Sequence, residues 1–110
     1  MGRSELLGSL EQIVLIALVR LGENAYGMTV RREIEERTGR DLSIGAVYAT
    51  LERLESKGYV SSFLGEPTAE RGGRAKRLFR IEGEGQRALY ATQEAMRKMS
   101  LGLKNRLGTA

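Results

Sequence analysis

"LSIGAVYATLERLESKG", residues Leu42–Gly58, decides the fold. Ser43 suits a helix N-cap and Gly58 a helix stop, so the stretch reads as a helix running to about Lys57. Ile44, Val47, Leu51 and Leu54 recur at helical spacing, which places them on one inward face. The opposite side opens with Gly45, Ala46 and Ala49, carries Arg53 further on, and has Tyr48 at its flank. Such bare opening turns let a backbone approach another surface closely. One such surface is the major groove of DNA, where base edges must be met without clash and a helix N-terminus favours a phosphate. Another is a neighbouring helix of the same chain, and Tyr48 suits a half-buried place in the core equally well. This helix alone does not separate the two.

Its neighbours supply context. Upstream, a second helix is expected from Gly27 to about Thr38, with Val30 and Ile34 inward, Arg31, Arg32, Glu33, Glu35 and Glu36 outward, and Gly39 closing it. The turn "GRDL" then joins two helices, a helix-turn-helix pattern in which the quoted stretch takes the groove-entering place. Before it, Ser9 and Gln12 match a capping box ahead of Leu10, Ile13 to Val19 and Leu21, apolar nearly all round. That predicts a buried first helix stopped by Gly22, with "ENAYG" as a short turn. Downstream the period falls to two: "YVSSFLG" and "RLFRI" read as strands, and Pro67 with Gly72 and Gly73 marks the loop "EPTAERGGRAK" between them. A hairpin after a helix-turn-helix is a winged helix. The last helix, from about Gly83 to Arg106, carries Leu89, Thr92, Met96, Met99, Leu103 and Arg106 in a stripe that extends beyond what its own chain can cover. The expected fold class is mainly α with a small β-hairpin. A winged helix-turn-helix DNA-binding domain occupies residues 1–82, and a C-terminal dimerisation helix at 83–110 belongs to the same compact unit.

Composition narrows the function. A chain of 110 residues suits one domain, and it contains neither cysteine nor histidine. That removes disulfides, thiolate chemistry, the usual transition-metal sites and most nucleophile–base pairs, so no enzyme, metal or cofactor is expected. The acidic start does not read as a leader, Gly2 after Met1 resembles a myristoylation start but is set aside for so basic a chain, and the apolar run Ile13 to Val19 is too short to span a bilayer, so a soluble cytoplasmic protein with no membrane partner is expected. The net charge is +4, and "ERGGRAKRLFR" gathers Arg71, Arg74, Lys76, Arg77 and Arg80 around the single acid Glu70. Such a run suits either a solvated loop or a polyanionic partner. Beside a helix-turn-helix, the polyanion is favoured.

The stretches "YGMTVRREIEERTGRDLSIGAVYATLERLESKGYV" and "GGRAKRLFRIEGEGQRAL" resemble the PadR-like transcriptional regulators. The resemblance is carried by Tyr26 and Gly27, by Ser43, Gly45, Tyr48, Thr50 and Leu51, by "LERLESKGYV", and by Gly72, Gly73 and Arg74. It implies a dimeric winged-helix repressor of the short branch with a single C-terminal helix. Tyr48 and its neighbours would lie at DNA, Arg74 and Lys76 in the wing near phosphate or minor groove, and the last helix in the dimer interface. Ala49 and Ala75 depart from frequent prolines of that family, Leu78 from a common aromatic, and Glu82 from a usual serine or threonine cap.

The expected partner is double-stranded DNA with a pseudo-palindromic operator. It would meet Ser43, Gly45, Ala46, Tyr48, Ala49, Thr50 and Arg53 on the helix, and Arg71, Arg74 and Lys76 in the wing. Leu89, Met96, Met99 and Leu103 are the expected homodimer seam. Small regulators of this kind often sense a compound at the dimer centre. Tyr90, Met96 and Met99 are candidates to line a pocket for a small hydrophobic effector, although plain dimer packing explains them too. The competing function is a winged-helix protein-interaction module without DNA binding. That would call for large exposed apolar residues on the third helix, where small ones stand. An RNA-binding sheet would need exposed aromatics, and Phe63 and Phe79 are better used as core.

Overall fold

The computed structural model describes residues 5–66 and 75–108. Its elements are α1 (Ser9–Leu21), a 3-10 turn at Gly22–Asn24, α2 (Gly27–Thr38), α3 (Ile44–Ser56), β1 (Val60–Leu64), β2 (Arg77–Ile81), α4 (Gly83–Ser100) and α5 (Leu103–Leu107). The architecture is thus mainly helical with one antiparallel two-stranded hairpin. No helix among the described residues is long and apolar enough to cross a membrane.

α1 supplies the centre of the core through Val14, Leu15, Ala17 and Leu18, whereas Val19 is 55% exposed, so the helix is not buried all round. It starts one residue earlier than the Ser9/Gln12 pair suggests. Gly8 is the N-cap, and its N–H donates to Glu11 Oε1 at 3.0 Å. Glu11 wins because a carboxylate accepts the orphan amide and faces the positive end of the helix dipole, while the Gln12 amide donates to the Leu7 carbonyl instead.

The helix-turn-helix follows the sequence closely. α2 ends at Gly39, whose φ of 76° is a left-handed cap that strains any side chain. Arg31 clasps the turn from α2, donating to the Leu42 carbonyl at 2.8 Å and pairing with Asp41 at 3.0 Å. Ser43 then caps α3, its Oγ accepting from the Ala46 N–H at 3.0 Å. The inward face of α3 is Val47, Thr50, Leu51 and Leu54. Ile44, expected there, is 37% exposed because the first turn projects past the edge of the core, and Thr50 completes the buried arc in its place.

In the hairpin Val60 pairs with Ile81 and Leu64 with Arg77, with Val60 and Phe79 buried at its base. The segment read as a simple turn, "ENAYG", does more: Tyr26 forms a bridge to Leu78, and the Phe79 N–H donates to the Ala25 carbonyl at 2.8 Å. This gives β2 a second hydrogen-bonded neighbour and locks the wing to the start of α2. α4 starts against the backbone just before β1, with Gly85 at the contact: a Cβ there would stand 2.3 Å from the Tyr59 carbonyl oxygen. Ala88 and Thr92 continue that buried face, and Thr92 Oγ1 accepts from the Leu7 N–H at 3.1 Å.

The last helix is not continuous to Arg106. It stops at Ser100, Gly102 turns left-handed at φ 75°, and α5 is a separate short helix. The apolar spacing from Met99 to Leu103 suggests continuity, but Leu101 is 70% and Leu103 42% exposed, too little packing to offset the poor helix propensity of glycine. The radius of gyration, 16.2 Å, exceeds the about 13 Å of a compact domain this size, so the molecule is elongated.

Candidate nucleic-acid interface

The outward side of α3 is built from residues three and four apart: Gly45, Ala49, Glu52, Arg53 and Ser56 are all exposed, and the cap Ser43 is exposed beside them. The first turns on this side are therefore bare and the later ones charged. Ala46 and Tyr48 lie half-buried at its edges. The Tyr48 ring lies directly over Gly27 of α2, where a Cβ would meet its Cζ at 2.4 Å, and it tilts against Phe79 with centroids 6.4 Å apart. Its hydroxyl meets no hydrogen-bond partner among the described residues. Tyr48 is thus an anchor in the core, its hydroxyl also lying over Gly27, where a Cβ would meet it at 2.5 Å.

Thr50 is placed elsewhere. It is only 1% exposed, and its hydroxyl donates to the Ala46 carbonyl at 2.9 Å, so it cannot meet DNA as expected without leaving the core. Arg53 is half-exposed and already engaged, its guanidinium reaching Glu11 at 3.4 Å and Thr50 Oγ1 at 3.4 Å. Behind it, Glu11 also accepts from Lys57 Nζ at 2.9 Å. Burial pushes the Glu11 carboxyl up, but hydrogen bonds from Lys57, Gly8 and Arg53 outweigh it and hold the group below the ordinary carboxylate value. The same contact, with one from Glu5, raises the Lys57 ammonium.

In the wing, Lys76 is half-buried and its ammonium stacks 4.5 Å from the centre of the Tyr26 ring. Arg71 and Arg74 lie outside the described residues. Arg77, counted above merely as part of the basic run, is turned inward onto α3. It pairs with Glu55 at 2.7 Å and Glu52 at 3.6 Å, while its guanidinium covers the Phe79 ring at 4.9 Å. The signal for this was present in "LERLES", two acids one turn apart, but only the fold shows which cation they meet.

On the far side, Leu89 is half-buried, whereas Tyr90, Met96, Met99 and Leu103 are exposed along α4 and α5. On a single chain these residues stand open rather than around a cavity.

The model of the transcriptional regulator PadR-like family matches residues 14–91. The chain belongs to that family. Solved structures with the same fold include three PadR-family regulators. One from Bacillus cereus shares 19% identity at a TM-score of 0.74, covering 92% of this chain and 93% of that one. One from Clostridium difficile shares 20% at 0.71, covering 92% and 100%. One from Eggerthella lenta shares 23% at 0.71, covering 92% and 88%. No curated relative matches. In this PadR-like regulator the matched span runs from the middle of α1 into α4, so it includes the helix-turn-helix, the hairpin and the half of α4 that packs on the body.

Proposed function

We propose that this PadR-like regulator is a cytoplasmic homodimer that binds double-stranded DNA at a pseudo-palindromic operator and represses transcription until a small hydrophobic effector releases it. The observation that carries the reading is the outward side of α3. Its first turns, Ser43, Gly45 and Ala49, are bare and exposed, while the helix itself is pinned to the core by Val47, Leu51 and Leu54. A rigid helix with small residues at its leading edge can enter a major groove without clash. Tyr48 and Arg53 stand beside it for polar contacts, and Lys76, together with Arg71 and Arg74 of the same basic run in the sequence, is proposed for phosphates.

Support for the dimer is the exposure of Met96 (58%) and Met99 (80%) on α4, since a monomer rarely leaves such a stripe in water. Tyr90, Met96 and Met99 are the residues through which we place an effector, in a pocket that a second copy would have to close.

The test is selection of bound sequences from random duplex DNA, followed by affinity for the enriched site against a scrambled duplex. Enrichment of an inverted repeat with half-sites about one helical turn apart is expected. A pool that never enriches would sink the DNA reading.

A further inference from the structure

The wing hairpin is tied to the core at its base and to the start of α2 along β2, through the Tyr26–Leu78 bridge and the Phe79–Ala25 hydrogen bond. At its base Val60 and Phe79 are buried, but at its outer end Phe63 and Leu64 are 40% and 73% exposed. Among the described residues, one carboxylate of α3 grips both strands, with both oxygens in use. Glu55 Oε1 takes the Arg77 Nη2 donor from β2 at 2.7 Å, and Glu55 Oε2 takes the Ser62 hydroxyl from β1 at 2.7 Å. Glu52, one turn earlier on α3, takes the other arm of the Arg77 fork at 3.6 Å. Arg77 pairs with Leu64 in the ladder, so the bracket grips the hairpin at its last paired position before the loop.

We propose that Arg77, Glu52 and Glu55 form an ion bracket that sets the wing at a fixed position on α3, making Arg77 a positioning residue for operator binding and not a phosphate ligand. This rests on the DNA reading above. If α3 lies in a groove and the loop meets the backbone, both can engage only when their separation matches the duplex, and the bracket is the direct link between α3 and the hairpin that helps fix it. The chemistry suits the task. A planar guanidinium spans two acids at once, which a lysine ammonium cannot do with the same geometry.

The bracket has a consequence opposite in sign to simple electrostatics. Removing an acid near a polyanion should tighten binding, because it lowers the charge repulsion. Removing Glu55 should instead weaken operator binding, because the wing loses its place.

Glu55→Ala and Arg77→Lys are measured against wild type on the selected operator and on a scrambled duplex. Both variants should lose about three- to tenfold in operator affinity, the scale of one lost hydrogen bond, while scrambled-duplex affinity holds or rises for Glu55→Ala. Melting should fall by no more than a few degrees, since the pair is only half-buried and such ion pairs add about 1 kcal/mol or less. A DNA-free reading uses the absence of native cysteine: spin labels at Glu36→Cys and Leu64→Cys report the distance from α2 to the outer hairpin. Its distribution should broaden in both variants. An unchanged distribution, or a Glu55→Ala protein that binds the operator as tightly as wild type, overturns the bracket. So does an Arg77→Ala protein whose salt slope on the scrambled duplex falls by about one unit, the mark of a phosphate contact. A wild type without operator preference overturns the DNA reading instead, and the label distances still decide the bracket.

Discussion

Ala49→Glu puts a carboxylate at the centre of the bare side of α3. The position is exposed and lies in one row with Gly45 and Arg53, each four residues away. In the free protein the change is close to neutral. Glutamate costs a few tenths of a kcal/mol in propensity against alanine, and pairing with Arg53 one turn later returns about 0.3–0.5 kcal/mol. Melting should shift by less than about 2 °C on the usual scaling for a domain of this size. On DNA the balance is different. A carboxylate about 6 Å from each of two phosphates is repelled by roughly 0.7 kcal/mol from each even at the dielectric of bulk water. The sum of about 1.4 kcal/mol is a tenfold loss in affinity, and exclusion of water from the groove increases it. Ala49→Gln separates bulk from charge: the two variants should differ at low salt and converge as screening shortens the Debye length toward about 3 Å at 1 M. Fluorescence anisotropy with the selected operator over a salt series, with melting on the same samples, supplies both numbers. An Ala49→Glu protein that melts like wild type and binds equally well would refute the placement of α3 at DNA.

Tyr48→Phe keeps the ring over Gly27 and removes only a hydroxyl without a partner among the described residues. Melting should therefore stay put while operator binding weakens by about 1 kcal/mol if that hydroxyl contacts DNA, and a lower melting point with intact binding would assign the hydroxyl to the fold. Gly85→Ala drives a methyl to 2.3 Å from the Tyr59 carbonyl. Overpacking of this kind costs about 1–3 kcal/mol, or about 10 °C in Tm, whereas Gly83→Ala, facing only the Arg87 guanidinium at 3.7 Å, serves as the mild control. Met99→Glu should give a folded monomer by sedimentation and abolish tight operator binding, and a variant that remains dimeric removes Met99 from the seam. The lowered Glu11 carboxyl adds stability that is fully present above its ordinary value of 4.5 and is lost as pH falls through the lower folded-state value. Wild type should accordingly lose stability more steeply below that point than Glu11→Gln, and parallel acid-melting curves would show that the pair contributes nothing.

What the sequence determined by itself was most of what near neighbours along the chain govern. Ser43 as a cap, Gly39 as a left-handed stop, the span of α2 and the two strands follow from backbone preference and periodicity, which act within one or two turns. The family could be read for the same reason, since its marks are contiguous words. The tertiary structure decided which of two chemically equivalent uses a residue serves. Thr50 and Ile44 are each compatible with either side of α3, and only the edge of the core, set by α1 and the hairpin, buries the threonine and exposes the isoleucine. Arg77 and Lys76 are adjacent letters of one basic run, yet strand alternation sends Arg77 to the acids of α3 and leaves Lys76 against Tyr26. Contacts such as Gly85 on Tyr59 join residues far apart in the chain, and the break at Gly102 reflects packing that ends before Leu101. The Gly85 contact leaves no local signature, because what decides it is the distance to another element; Gly102 carries one, and the lack of packing beyond Ser100 lets its helix-ending preference prevail.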